Sequence, residues 1–115
     1  MGVDDPYPKG YALQMIEIKQ TAEFTDWLDS LIDRQAIARI NTRIYRLAQG
    51  NPGDVKSVGD GVSELRIDYG PGYRVYFVQR GQTLIILLAG GDKRTQERDI
   101  RRSVALAQSL REKLQ

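Results

Sequence analysis

Residues 62–90 hold three strand-like stretches joined by turns short enough only for hairpins. The first, "VSELRIDY" (62–69), alternates, with Leu65, Ile67 and Tyr69 on one face and Glu64, Arg66 and Asp68 on the other. A "GPG" turn leads into "GYRVYFVQ" (72–79), and "RGQ" (80–82) turns the chain tightly into "QTLIILLAG" (82–90). That last stretch is almost continuously apolar, which predicts a central strand covered on both faces. Strands joined this closely pair antiparallel, so the chain needs an apolar layer to pack on the resulting sheet.

The flanking segments supply it. "LQMIEIK" (13–19) alternates as a short strand. Thr21 is placed to cap a helix over 22–31, with Phe24, Trp27, Leu28 and Leu31 at helical spacing. Asp33 can cap a second helix carrying Ile37, Ile40, Ile44 and Leu47, which stops at Gly50 before Pro52. The Gly-, Pro- and Asp-rich stretch 51–61 reads as loop. Beyond Gly90 and Gly91, which suit a sharp bend, Thr95 is a candidate cap for a last helix with Ile100, Val104, Ala107 and Leu114 as its apolar stripe. The expected order is β-α-α-β-β-β-α, an α+β domain with helices packed on a mainly antiparallel four-stranded sheet. One domain spanning 1–115 is expected, with 1–10 as a flexible extension.

Composition narrows the chemistry. There is no Cys and no His, so thiolate chemistry and the commonest acid/base and metal ligand are missing. No metal or cofactor is expected. No apolar run approaches a membrane span and the N-terminus is acidic, which predicts a cytoplasmic protein with no membrane partner. Residues 1–63 carry 7 basic and 9 acidic side chains, and residues 64–115 carry 10 and 6. A basic C-terminal half suits a polyanion.

Two clusters are candidates for anion chemistry. Arg66 and Arg74 fall close together if their strands pair across "GPG", and like charges at that spacing need an anion or carboxylates between them. A surface salt-bridge ladder with Glu64 and Asp68 and a phosphate site are both open readings. In "GGDKR" (90–94), Lys93 and Arg94 stand where a helix start favours anions, although a plain turn with solvated bases also accounts for them and is the simpler reading. Arg98, Arg101 and Arg102 extend the basic surface against the local helix dipole. Arg39, Arg43 and Arg46 read as a solvated helix face, and Trp27 as core.

Taken together, "GNPGDVKSVGDGVSELRIDYGPGYRVYF" and "LLAGGDKRTQERDI" resemble the RelE/ParE superfamily of bacterial toxins, from about residue 11 to the end. More narrowly, they resemble its HigB-like branch of phage-derived addiction-module killer proteins. The resemblance implies the fold order above and cleavage of mRNA on the ribosome. It also implies a cognate helix-turn-helix antitoxin as partner. By position it carries over Arg74, Arg94 and Arg66; with Lys93 beside Arg94, this makes Arg74, Arg94 and Lys93 the expected catalytic residues and Arg66 an RNA-binding one, and the basic surface of Arg98, Arg101 and Arg102 is expected to bind RNA beside it. Val62 and Glu64 replace lysines of the RelE pattern, and Ile100 stands where that pattern has a tyrosine. Other activities within the superfamily's range are inhibition of DNA gyrase, as in ParE, and antitoxin binding without catalysis.

Overall fold

The computed structural model describes residues 15–113; the expected N-terminal extension, the start of the first strand and Leu114 lie outside them. Chain order gives β1 (Glu17–Gln20), α1 (Ala22–Ser30), α2 (Arg34–Ala48), β2 (Val55–Gly59), β3 (Val62–Ile67), β4 (Tyr73–Arg80), β5 (Leu84–Asp92) and α3 (Gln96–Lys113). The five strands form one sheet in the order β1-β5-β4-β3-β2. Only β1 runs parallel to its neighbour, and the remaining pairs are antiparallel. The sheet is therefore mixed and five-stranded, against the four strands expected.

The extra strand is β2, inside the stretch 51–61 that reads as loop. Asp60 and Gly61, at φ 54° and 80°, form the two-residue turn that folds Val55–Gly59 back on β3. Positive φ at both central positions matches the right-handed twist of a hairpin, and Asp-Gly tolerates it.

Helix starts follow their caps. Thr21 Oγ1 accepts from Phe24 N at 3.0 Å, and Asp33 Oδ1 accepts from Gln35 N and Ala36 N at 2.9 and 3.2 Å. Thr21 also ties α1 to the sheet, its hydroxyl donating to Leu88 O at 2.7 Å and its N–H to Leu87 O at 3.0 Å. α3 begins differently from the expectation. A short 3-10 turn, Lys93–Thr95, precedes it, and Asp92 rather than Thr95 caps that turn by accepting from Arg94 N at 2.8 Å.

Helices α1 and α2 cover one face of the sheet, where Phe24, Ile40 and Leu47 meet Leu65, Ile67, Val75, Phe77, Ile85 and Leu87. α3 covers the other, where Ile100, Val104 and Ala107 meet Val62, Tyr76, Val78 and Leu88. β5 is thus sandwiched between helices, as its apolar run requires. Gly90 and Gly91 continue β5 rather than bending it, a correction to the sharp turn expected there. A Cβ on Gly90 would overlap the Trp27 ring, and one on Gly91 would overlap the Asp99 carboxylate. The pair is a clearance device that lets α1 and α3 approach the same strand from opposite sides.

Candidate functional site

The β3–β4 register places Arg66 directly opposite Arg74, and Glu64 opposite Tyr76. All four lie on the α3 face, near the N-terminal end of α3. Because α3 closes over this face, Glu64 is 0% exposed rather than on a polar surface. Its Oε1 accepts from Arg66 Nε at 3.0 Å and faces Arg74 Nε at 3.8 Å. Its Oε2 accepts from Tyr76 OH at 3.0 Å and from Gln96 Nε2, at the start of α3, at 2.7 Å. The surface ladder through Asp68 is not what forms: Asp68 is exposed and makes no salt bridge among the described residues.

Burial is the largest influence on the Glu64 carboxyl and pushes it up. The Gln96, Arg66 and Tyr76 hydrogen bonds and the Arg74 charge outweigh it, and the group titrates below its ordinary 4.5. Tyr76 is pushed the other way, by burial first and then by the neighbouring Glu64 charge, and stays protonated. A carboxylate held down in the fold stabilises it above pH 4.5, and that stabilisation is lost as pH falls through the lowered folded value. Thermal unfolding followed from pH 7 to pH 3 is expected to show a falling midpoint below about 4.5. Glu64→Gln should flatten this slope only in part, because Asp33 and Asp92 are also held below their ordinary values.

Arg66 and Arg74 open onto a cleft of about 410 Å³ with Lys93, the Gly70-Pro71-Gly72 turn, Asp54 and Asp68. Arg74 Nη1 donates to Gly72 O at 2.9 Å and to Tyr73 O at 3.3 Å, while its buried Nε has no hydrogen-bond partner. Gly72, at φ 80°, brings the turn against this guanidinium; a Cβ there would lie 3.3 Å from Arg74 Nη1 and 3.5 Å from Lys93 Cβ. Lys93 also lines a second opening of about 490 Å³ with Arg94, Arg98 and Arg101. Lys93 lines both openings and so links Arg66 and Arg74 to Arg94, Arg98 and Arg101.

Arg94 is engaged within that surface. Its Nη2 donates to Asp92 Oδ2 at 2.8 Å and its Nε to Asp92 Oδ1 at 3.2 Å, with the side chain 77% exposed. Arg98 makes only a long contact to its neighbour Asp99, at 3.4 Å. Arg102 is directed elsewhere: it pairs with Glu23 of α1 at 2.7 Å and ties two helices together. Tyr73 packs edge-on against Trp27, 6.3 Å between centroids, on the opposite face from the cleft. Among the described residues no group of three or more His, Cys, Asp or Glu side chains is placed to hold a metal ion, and no helix is long and apolar enough to cross a membrane.

A family model described as "Phage derived protein Gp49-like (DUF891)" matches residues 26–112, a span that includes α2, all of β2–β5 and the whole basic cleft. The chain belongs to the Gp49-like family. It is also 55% identical over 95 residues to a protein of Haemophilus influenzae (strain ATCC 51907 / DSM 11121 / KW20 / Rd) described as "Uncharacterized protein", covering 83% of this chain and 96% of the relative. The Gp49-like family is phage-derived and toxin-like. In this Gp49-like protein, two parts of the site were not legible as such in the sequence. Gln96 reaches Glu64 only because α3 folds back over β3, and Asp54 reaches the cleft only because β2 forms. Arg43 is a third departure: it is half-buried and donates to three backbone carbonyls, those of Arg66, Pro52 and Asp54, instead of facing solvent.

Proposed function

We propose that this Gp49-like protein is the toxin of a type II toxin–antitoxin pair and acts as a metal-independent endoribonuclease on mRNA, most effectively on the ribosome. The observation that carries the reading is the convergence of Arg66, Arg74 and Lys93 on one cleft, with guanidinium edges free to meet phosphate. Cleavage without metal proceeds by attack of the ribose 2′-oxygen on the adjacent phosphorus. The bond to the 5′-oxygen breaks and that oxygen takes a proton from water, leaving a 2′,3′-cyclic phosphate and a 5′-hydroxyl. Negative charge grows on the phosphoryl oxygens and the leaving oxygen, and cations fixed beforehand stabilise it without reorganising. Arg74 clamps the phosphate, Lys93 neutralises developing charge, and Arg66 positions the backbone; Arg94, paired with Asp92 in the adjoining opening, acts there with Arg98 and Arg101 to guide the flanking strand. Arg102, held by Glu23, contributes to that surface only through its general charge.

With Glu64 saturated and Tyr76 protonated, Asp68 and Asp54 on the cleft wall are the candidates to take the 2′-proton. A helix-turn-helix antitoxin is the expected partner, neutralising the toxin by covering the basic cleft.

Induced expression in growing cells is expected to arrest growth, with primer extension mapping new mRNA ends at codon-spaced positions. Arg74→Ala should lower cleavage by about 100-fold or more while leaving circular dichroism unchanged, since Arg66 still partners Glu64. Arrest of supercoiling in a gyrase assay without RNA ends would replace the nuclease reading with gyrase inhibition, and a fully toxic Arg74→Ala would remove Arg74 from the site.

A further inference from the structure

We infer that Glu64 is the positioning residue that sets the two arginines of the cleft in register for one phosphate, a role resting on the nuclease reading above. Two guanidinium groups on directly opposed strand positions, with Cα atoms about 4.5–5.5 Å apart, repel each other unless an anion lies between them. Glu64 is that anion. Its two oxygens are divided: Oε2 is fixed by neutral donors, Tyr76 and Gln96, and Oε1 is left to face Arg66 Nε at 3.0 Å and Arg74 Nε at 3.8 Å.

The division has a geometric consequence. Both arginines turn the inner Nε edge towards Glu64, and Arg74 Nη1 is further held by the carbonyls of Gly72 and Tyr73. Among the described residues neither Nη of Arg66 nor Nη2 of Arg74 has a protein acceptor, and these are the groups a phosphate would meet. The carboxylate is fully buried and already accepts three hydrogen bonds, so it has no access to a ribose hydroxyl and is not the proton acceptor. It acts through the arginines. Gln96 makes the position of Glu64 depend on how the first turn of α3 is seated.

The test uses Glu64→Gln, which keeps size and the ability to accept a hydrogen bond but removes the charge, and Gln96→Ala, which loosens Glu64 without changing charge. Single-turnover cleavage of ribosome-bound mRNA is expected to slow about 100-fold in Glu64→Gln and less in Gln96→Ala, the scale of an ångström-sized misplacement. KM and the shape of the pH–rate profile should be unchanged. Binding of a 2′-deoxy-substituted, uncleavable RNA oligonucleotide should weaken less than 5-fold, a limit set by Lys93 and the remaining long-range charge. In the free protein, the Nε–Hε NMR signal of Arg66 should lose its protection from exchange in Glu64→Gln, and that of Arg74, which faces the carboxylate without a hydrogen bond, should shift, while that of Arg102 is unaffected. Loss of the acidic limb of the pH profile would make Glu64 the general base, and a lowered melting temperature with an unchanged rate would make it purely structural; either overturns the inference. If the wild-type protein cleaves no RNA, the nuclease reading fails instead, and the NMR signals alone still decide whether Glu64 orders the arginine pair.

Discussion

Gly91→Ala is expected to destabilise the fold by about 3 kcal/mol and to disable the cleft, whereas Gly90→Ala should destabilise similarly and leave the cleft intact. Both glycines sit in β5 with ordinary strand conformation, so an alanine meets no backbone penalty. The cost is overlap. On Gly90 the new methyl collides with the six-membered ring of Trp27, which packs against Phe24 at 5.7 Å and Tyr73 at 6.3 Å, so the ring can move only by giving up those contacts. On Gly91 it displaces the Asp99 carboxylate, which Thr95 Oγ1 holds at 2.5 Å. Asp99 and Thr95 lie in the first turn of α3 and just before it, so moving them also moves Gln96 away from Glu64.

Gly91 is moreover the β5 residue directly opposite Arg74. Urea denaturation of the two variants should give comparable midpoints below wild type, while RNA cleavage by the folded protein falls only in Gly91→Ala. Replacing Trp27 by leucine should remove most of the Gly90→Ala cost, because the two residues share one volume. Equal loss of cleavage in both variants would show that the glycines act through general looseness and not through two separate helices.

The contrast between those glycines shows what kind of information the sequence carried. Local rules were legible: Thr21 and Asp33 are caps by chemistry and position, and alternation around the Gly-Pro-Gly turn is enough to bring Arg66 and Arg74 together. The hairpin of β2 was also locally encoded, in Asp60-Gly61, but the surrounding Pro52, Gly53 and Gly59 gave a stronger loop signal than a five-residue strand could offset. Long-range contacts were not legible. Alternation assigns Glu64 to a polar face, and only the arrival of α3 turns that face into an interior. A Gly-Gly pair reads as a bend until the tryptophan and aspartate packed against it are known. The candidate site was therefore half visible: its cations came from strand parity, while the carboxylate and amide that orient them came from tertiary packing.

Arg43→Lys, conservative by charge, is expected to cost nearly as much as Arg43→Ala. Arg43 lies on α2 and reaches across to the backbone, Nη1 donating to the Arg66 carbonyl and Nη2 to Pro52 O at 2.9 Å and Asp54 O at 3.2 Å. One guanidinium thus fastens the chain entering β2 to the strand that carries Arg66. A lysine ammonium is a single point on a flexible stem and cannot span acceptors that the planar fork reaches together. A hydrogen bond from a charged donor contributes roughly 1.5–3 kcal/mol, and leaving the Arg66 and Pro52 carbonyls of half-buried residues unmet adds to the loss. Asp54 is exposed and its carbonyl keeps the Arg66 N–H, which limits the total, so both substitutions should cost about 2–3 kcal/mol, a fall in melting temperature of roughly 8–15 °C for a domain of this size.

The loss should be local before it is global. Amide hydrogen exchange is expected to rise first across 51–57 and at Arg66, whose N–H bonds to Asp54 O at 3.0 Å, while the β4–β5 hairpin keeps its protection. Because Asp54 and Arg66 both line the basic cleft, the proposed cleavage should fall along with the protection of this edge. A lysine variant with wild-type melting temperature and wild-type exchange at 51–57 would mean that charge on α2, and not the three-carbonyl bracket, is what Arg43 supplies.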